Sequence, residues 1–201
     1  MKAPQKPATR GRPRTITRER IADAGISIGL PNITFVGLAA AIGVSHMALY
    51  KHVANLEALK ILVAEEIFNR WQIPRADEGE RIELKDYLLR FSDSIQAFVK
   101  AHPGLTPYVI RRSVATESML TKIVEHQMHI ARCYSISDQE ARQLLATVAF
   151  HCFAVADTVY SVAGRDSADE TQRASEEAEM ETELSQGMHA LIVGSLATLS
   201  S

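Results

Sequence analysis

The sequence is poor in cysteine, and Cys133 and Cys152 are too few for the disulfide framework of a small secreted domain. We therefore expect a reducing compartment, the cytoplasm. No apolar run follows the basic first residues, so we expect no signal peptide. The most apolar long stretch, residues 144–164, carries His151 and Asp157 near its middle. Because polar and charged side chains are costly in a bilayer, this stretch predicts a buried helix and no membrane partner.

Charge is nearly balanced in total but unevenly placed. Residues 1–60 contain nine Lys or Arg and three Asp or Glu, a net charge of +6, whereas the remainder carries −8. A basic segment ahead of an acidic one is typical of a chain whose first part contacts a polyanion. We predict a disordered basic arm over 1–14, a head over 15–73 and a body over 80–201.

The arm contains three prolines and five basic residues and has little apolar surface to bury. Its segment Arg10-Gly11-Arg12-Pro13-Arg14 resembles the core of an AT-hook. Arginines are attracted to the negative potential of narrow A·T-rich minor grooves. A solvated tail that binds nonspecifically remains an equally open interpretation.

Residues 34–52 predict two short helices joined by a tight turn. Thr34 and Ser45 are N-cap residues, and Gly43 ends the first helix where a left-handed backbone favours glycine. The apolar residues at helical spacing predict the buried side: Leu38, Ala39, Ile42, Leu49 and Val53. This is a helix-turn-helix, whose second helix presents the residues between Ser45 and His52 to a ligand such as DNA.

This stretch resembles the signature of the tetracycline-repressor (TetR) family of bacterial regulators. The shared elements are the capped second helix, Leu-Ala-x-x-x-Gly-Val-Ser, Leu-Tyr-x-His and a capped fourth helix, here Thr34, Leu38-Ala39, Gly43-Val44-Ser45, Leu49-Tyr50-Lys51-His52 and Asn55. The resemblance covers residues 15–70 in sequence and the rest only as architecture. Two departures stand at Val36 and Leu56, where members often carry basic or polar residues.

The resemblance implies an all-α protein, with a helix-turn-helix head and a larger helical body for effector binding and dimerisation. It implies that a double-stranded DNA operator is contacted by residues of the head: Thr34, Ser45, His46, Met47, Tyr50, Lys51 and His52. The AT-hook pattern adds Arg10, Arg12 and Arg14 of the arm. For Tyr50 and His52, packing within the head remains an alternative role.

Helical periodicity continues through the body. We predict a long helix over 138–163 that is apolar almost all round and covered on both faces, and a last helix over 182–199. The acidic segment 165–183 predicts a loop. With their symmetry mates, the two late helices would form a four-helix bundle that joins a homodimer, through Leu145, Val148, Cys152, Val155, Gly187, Leu191 and Gly194.

The body has aromatic and polar side chains that can line a cavity for an unknown small-molecule effector. The candidates are Phe91, Tyr108, His126, Phe150, His151, Phe153 and Asp157. His126 and His129 are three apart, and His102 and His151 could approach them, as in a zinc or nickel site. Because no Cys pair or HExxH accompanies them, we expect no metal, cofactor or catalytic group.

Two functions follow from these patterns. The first is a ligand-responsive repressor that binds a palindromic operator as a homodimer and is released by a small molecule. The second is a helical metal-binding protein or enzyme in which the helix-turn-helix is incidental. The placement of the basic residues favours the first, while the effector, the operator and the choice between repressor and activator stay open.

Overall fold

The computed structural model describes residues 16–76, 82–160 and 170–199, apart from the side chains of residues 170, 172 and 173. Regular structure in these residues is helical, which confirms the predicted all-α class. Nine α-helices and one 3-10 turn occur within them in this order: α1 Arg18–Ile28, the turn Leu30–Asn32, α2 Phe35–Ile42, α3 His46–Leu49, α4 Leu56–Arg70, α5 Leu84–Ala101, α6 Thr106–Ile110, α7 Glu117–Tyr134, α8 Asp138–Tyr160 and α9 Glu170–Leu199.

Each helix of the head begins at a side chain that caps it. The side-chain oxygens of Thr17, Thr34, Ser45 and Asn55 accept hydrogen bonds from the backbone N–H three residues on, at 2.8 to 3.2 Å. Gly43 ends α2 with a φ of 72° in the left-handed region. The caps at Thr34, Ser45 and Asn55 and the turn at Gly43 are as predicted, so residues close in sequence set the helix ends of the head.

The helices of the head cross closely around a small apolar core. Leu38, Ile42 and Leu49 are buried as predicted. Gly25 of α1 lies directly against Val63 of α4, and an added Cβ would overlap the Val63 Cγ2. The side chain of Arg20 donates a 2.9 Å hydrogen bond to the carbonyl of Ile42, at the end of α2. This bond satisfies a carbonyl that lacks a partner within its own helix.

The body is built around α8, which packs against α5, α7 and α9. Among the described residues, α8 is the one helix long and apolar enough to cross a membrane by length and composition. Its Leu144, Val148, Cys152 and Ala156 are buried against the neighbouring helices. We therefore assign α8 to the protein core. Its other side exposes Phe150 and is not covered within the described chain.

The acidic segment was the main error of the sequence prediction. The predicted loop 165–183 is wrong from Glu170 onward, because α9 begins there and is continuous to Leu199. The segment is rich in Glu and Ala, which favour helix. It is also packed against α5, where Lys100 forms ion pairs with Glu177 and Glu181 at 3.0 and 2.7 Å. Residues 165–169 lie outside the described part.

Candidate nucleic-acid interface and ligand cavity

The recognition segment, residues 45–52, is anchored by one buried residue and exposes the residues that are predicted to contact DNA. Leu49 is fully buried, while His46, Met47, Lys51 and His52 are exposed. Backbone hydrogen bonds of helical type continue past α3, from His52 N–H to Leu49 O and from Val53 N–H to Leu49 O. The four-residue helix is thus extended to about two turns with one exposed face.

A ring stack joins the two helices of the motif. The rings of Phe35 and Tyr50 lie 4.2 Å apart between centroids at an interplanar angle of 10°. Tyr50 is nonetheless 47% exposed. Phe35 was not predicted as a functional residue. No periodic pattern links positions 15 apart, so only the packing of α2 on α3 reveals its role.

The remaining predicted DNA contacts are placed as follows. The hydroxyls of Thr34 and Ser45 accept cap hydrogen bonds, which leaves each O–H able to donate to a phosphate. Val36 and Leu56, where basic or polar residues are common in the TetR family, are 71% and 40% exposed. Arg10, Arg12 and Arg14 lie outside the described residues, and their assignment to DNA stays a prediction.

A cluster of aromatic side chains fills the body next to the end of α4. The rings of Trp71 and Phe98 stack at 4.6 Å, and Phe91 and Phe153 lie 6.2 Å from Trp71. The Trp71 Nε1–H donates to Ser94 Oγ at 3.0 Å. Phe91 and Phe153 are both buried. The structure therefore brings these two candidates for ligand binding together around Trp71, which directly follows α4.

His126 joins this cluster to the surface. Its ring lies 5.6 Å from that of Phe91, and its Nε2 is 2.8 Å from the Tyr87 hydroxyl, which also donates to Pro74 O at 3.2 Å. Burial, together with the positive charges of His129, Arg75 and Lys122, lowers the pKa of His126 to about 4. With a neutral His126 that carries its proton on Nε2, both Tyr87 contacts are satisfied.

An open cavity of about 880 Å³ lies between the end of α4 with its following coil and the first half of α7. Trp71 and His126 connect its lining to the aromatic cluster, and Arg75 and Lys122 bring positive charge. The two carboxylates of the lining, Glu117 and Glu125, are exposed. The volume is in the range of small-molecule sites, and the lining is mostly polar, with Trp71 and Ile73 as its apolar part.

Lys122 crosses from α7 to the end of α4. Its Nζ donates to the carbonyls of Phe68, Asn69 and Trp71 at 3.1, 2.8 and 2.6 Å. Burial lowers its pKa. Beside it, the Asn69 amide donates to Ser118 Oγ at 3.0 Å. Lys122 was not predicted as a functional residue, since nothing in the local sequence of α7 indicates which carbonyls it reaches.

The other predicted ligand residues do not join the cluster. Tyr108 lies on α6, with its hydroxyl 3.5 Å from a carboxylate oxygen of Glu57 in the head. Phe150 and His151 are exposed on the outer side of α8, and Asp157 is half-buried further along that helix. Their assignment to ligand binding stays a prediction.

The four candidate metal ligands are not brought together. His126 contacts Tyr87, His129 lies 3.6 Å from Cys133 Sγ, His102 packs on Phe98, and His151 faces outward. Residues 16–76, 82–160 and 170–199 contain no group of three or more His, Cys, Asp or Glu positioned to hold a metal.

The dimerisation assignment divides into two sets. Val155, Gly187, Leu191 and Gly194 line shallow grooves of 370 and 320 Å³ on the outer side of α8 and α9. Leu145, Val148 and Cys152 are instead buried within the chain, and their assignment is corrected. Cys152 lies against Ser92 of α5, and burial raises the pKa of its thiol to about 11. Side chains used inside one chain have no surface left for a second.

No family model matches this sequence, and no curated protein matches it. Solved structures do. A variant of TetR from Acinetobacter baumannii AYE, in complex with minocycline, superposes with a TM-score of 0.70 at 18% identity, over 93% of this chain and 99% of that one. The TetR family protein ActR from Streptomyces coelicolor, in complex with actinorhodin, gives a TM-score of 0.69 at 20% identity, over 91% and 96%.

The chain has the TetR-family fold. A third similar structure is BioQ with its double-stranded DNA operator, with a TM-score of 0.57 at 20% identity over 88% of this chain and 99% of that one. Structures of this fold thus include one with DNA and two with small molecules. For the present chain, the TetR-family fold agrees with the resemblance found in residues 15–70 and extends it over the body.

Proposed function

We propose that the chain is a TetR-family transcriptional regulator, a repressor that binds a palindromic operator as a homodimer and leaves it when a small molecule binds the body. The observation that carries this proposal is the recognition segment. A single buried anchor, Leu49, holds it on the head, and all its predicted DNA-contacting side chains point outward. Such an arrangement has little value for packing, but it fits a segment that enters the major groove.

Different residues of the head are assigned to phosphate contacts and to base contacts. Lys51, His52 and the hydroxyls of Thr34 and Ser45 carry the chemistry for phosphate oxygens. His46 and Met47 lie at the start of α3, where base edges are contacted, and Tyr50 can serve either role. One head offers few cations, so two heads on two half-sites are needed for tight binding.

The outer side of α8 and α9 supports the homodimer. Phe150, Val155 and Val193 are large apolar side chains that are all more than 40% exposed there, next to Gly187 and Gly194. An added Cβ at either glycine meets no atom within 4 Å in the described chain. Apolar residues beside glycines allow close helix approach, so this face fits a second copy of itself in a four-helix bundle.

The effector site is the cavity beside α4, with Trp71 and His126 in its wall. Because the cavity lies between α4 of the head and α7 of the body, a ligand there would affect DNA binding without covering the DNA surface. A ligand that favours one spacing of the two heads must change operator affinity by the same free energy by which DNA changes ligand affinity.

The test is selection of duplexes from a random pool by the full chain, followed by fluorescence anisotropy at two salt concentrations. We expect enrichment of a pseudo-palindrome and a steep fall in affinity with salt. Lys51→Ala should weaken binding to all sequences and reduce the salt slope by about 1, whereas His46→Ala should relax specificity by about 1–3 kcal/mol at its base pair.

Lys85→Ala, an exposed change on α5, is the matched control and should bind as the wild type does. If no sequence is enriched, or if Tyr50→Ala, Lys51→Ala and His46→Ala all bind like the wild type, the proposed interface is wrong. Melting temperatures of the variants establish that each of them is folded.

A further inference from the structure

Three of the hydrogen bonds between the end of α4 and the body come from one side chain, that of Lys122. An ammonium has three N–H donors, and those of Lys122 serve the carbonyls of Phe68, Asn69 and Trp71. These carbonyls belong to the end of α4, where a helix leaves its acceptors unpaired and carries partial negative charge. Lys122 therefore caps α4 from another helix and spans the contact between head and body. We call this contact the Lys122 clamp.

The rest of α4 belongs to the head. Leu59 and Val63 are fully buried in its core, and Val63 is in tight contact with Gly25 of α1. Two ion pairs also tie the helices, Arg18 with Glu65 at 2.8 Å and Arg70 with Asp23 at 2.6 Å. Because α1 and α4 are packed this closely, a shift at the last turn of α4 moves the head as a unit.

The Lys122 clamp is also a wall of the cavity. Lys122, Trp71 and Asn69 all line it, and Arg75 and His126 face the same space. Lys122 is half-buried, and its acceptors are neutral carbonyls; in the described part of the chain no carboxylate lies within ion-pair distance of it. Charge-assisted hydrogen bonds are shorter and stronger than those to neutral acceptors. An anionic oxygen that enters the cavity therefore competes well for this ammonium.

We propose that the cavity takes an aromatic acid, and that the anionic group of this ligand draws Lys122 away from the α4 carbonyls and so loosens the head from the body. Trp71 and Ile73 supply the apolar wall for the aromatic part, while Lys122 and Arg75 supply the positive charge. The proposal rests on the proposed function, because it gives the effector a chemical class and its effect a route to α4.

The chain offers its own probe, since Trp71 is the single tryptophan and lines the cavity. We would titrate the full chain with 8-anilinonaphthalene-1-sulfonate and with N-phenyl-1-naphthylamine, which has the same aromatic body without the anionic group. Energy transfer from Trp71 reports binding next to the clamp. We expect the sulfonate to bind about tenfold more tightly than the neutral amine, as one charge-assisted hydrogen bond provides.

Lys122→Met should abolish this difference, and Lys85→Met, which removes an exposed lysine of α5, should retain it. In the wild type, the sulfonate should increase amide hydrogen exchange at residues 66–72 and lower affinity for the selected duplex, and both effects should be missing in Lys122→Met. Should Lys122→Met fail to fold, Lys122→Gln, which keeps a donor for the carbonyls, replaces it.

Equal affinities of the two probes for the wild type would overturn the proposal, and so would a preference for the sulfonate that persists in Lys122→Met. Sulfonate binding that leaves exchange at 66–72 and operator affinity unchanged would also overturn it. These results concern the class of ligand and its route to α4, whereas DNA binding itself is tested by duplex selection without any probe. Failure to bind any selected duplex would contradict the proposed function instead.

Discussion

The head and the body differ in how consistently their helices begin at a side-chain cap. In the head, α1 to α4 each begin at a Thr, Ser or Asn whose side chain caps the helix from three residues away. In the body, α5 and α6 begin with no side-chain cap hydrogen bond, and the end of α4 is capped by Lys122 from more than 50 residues along the chain. Every helix of the head thus begins at a local cap, whereas in the body α7 and α8 begin at local caps, Thr116 and Ser137, and α5 and α6 do not.

The exposed apolar residues divide in the same way. Met47 in the head and Phe150 in the body are large apolar side chains that are 64% and 55% exposed, whereas such side chains are usually buried. The head presents Met47 on the short helix α3, in the same segment as Lys51, which suits DNA. The body presents such side chains on long helices beside glycines, which suits a second copy. The two regions therefore differ in the partner that each would bury them against.

The largest expected effect concerns the outer face of the body. Gly194→Arg should give a monomer and lower operator affinity at least about 100-fold, because linked binding of two heads is lost. The described chain should stay folded, since nothing lies within 4 Å of a Cβ at Gly194. Sedimentation and anisotropy measure both effects. Ser185→Arg, an exposed position about 180° away around α9, is the control, and a dimeric Gly194→Arg variant would show that this face does not pair.

The close contact between α1 and α4 at Gly25 provides the next comparison. Gly25→Ala should lower the free energy of unfolding by about 2–3 kcal/mol, because the new methyl overlaps buried Val63 and outweighs the gain in helix propensity. The double variant with Val63→Ala should cost less than the sum of the two single changes, as measured by urea denaturation. Additive effects would mean that the contact between α1 and α4 is looser than described.

The pH dependence of stability should arise in the body. His126 has a pKa of about 4 in the folded chain, below the value of about 6.5 expected in the unfolded chain, because burial disfavours its charge. Between these values the unfolded state binds the additional proton, so stability falls as the pH decreases. We expect a loss of about 2 kcal/mol between pH 7 and pH 5.

Urea denaturation of His126→Gln should show less of this loss, and His151→Gln, which changes an exposed histidine, should retain it. The burial of His102 also lowers its pKa and contributes in the same direction. An identical pH dependence in wild type and His126→Gln would contradict the assignment of this effect to His126.

Substitutions at the N-cap positions of α4 and α5 should change stability in opposite directions. Asn55→Ala removes a 2.8 Å cap hydrogen bond of α4 and should cost about 1 kcal/mol. Glu83 precedes α5 and makes no side-chain cap bond, so Glu83→Ser should add stability of up to about 1 kcal/mol. Chemical denaturation of both variants measures the difference. A loss on Glu83→Ser would show that the start of α5 depends on something other than capping.

The smallest expected effect concerns Met47. Replacing the thymines of the selected duplex one at a time by deoxyuridine removes only a methyl group, and at one position this should cost about 0.8 kcal/mol if Met47 contacts it. Met47→Ala should then bind both duplexes alike. Phe150→Ser, the exposed counterpart in the body, should leave this thymine preference intact. A preference that survives Met47→Ala would place the methyl contact elsewhere.

Much of the head could be predicted residue by residue. Thr34, Gly43, Ser45 and Asn55 act on neighbours within four residues, so a linear pattern contains nearly all the information that sets these helix ends. In the body, helical periodicity predicted α8 and the later part of α9 but not what each face contacts. The start of α9 was missed because the acidic charge of its first turns outweighed their helix propensity, and the pairing with Lys100 was invisible in the sequence.

By itself, the sequence determined the all-α class, the helix-turn-helix and the separation of a basic head from an acidic body, since all three depend on composition, spacing and short-range hydrogen bonds. The tertiary structure decided that Leu145, Val148 and Cys152 are internal, and that Trp71 and Lys122 meet at a cavity beside α4. These features depend on which helix faces meet across 50 or more residues. Many pairings satisfy the same apolar periodicity, and close packing selects one of them.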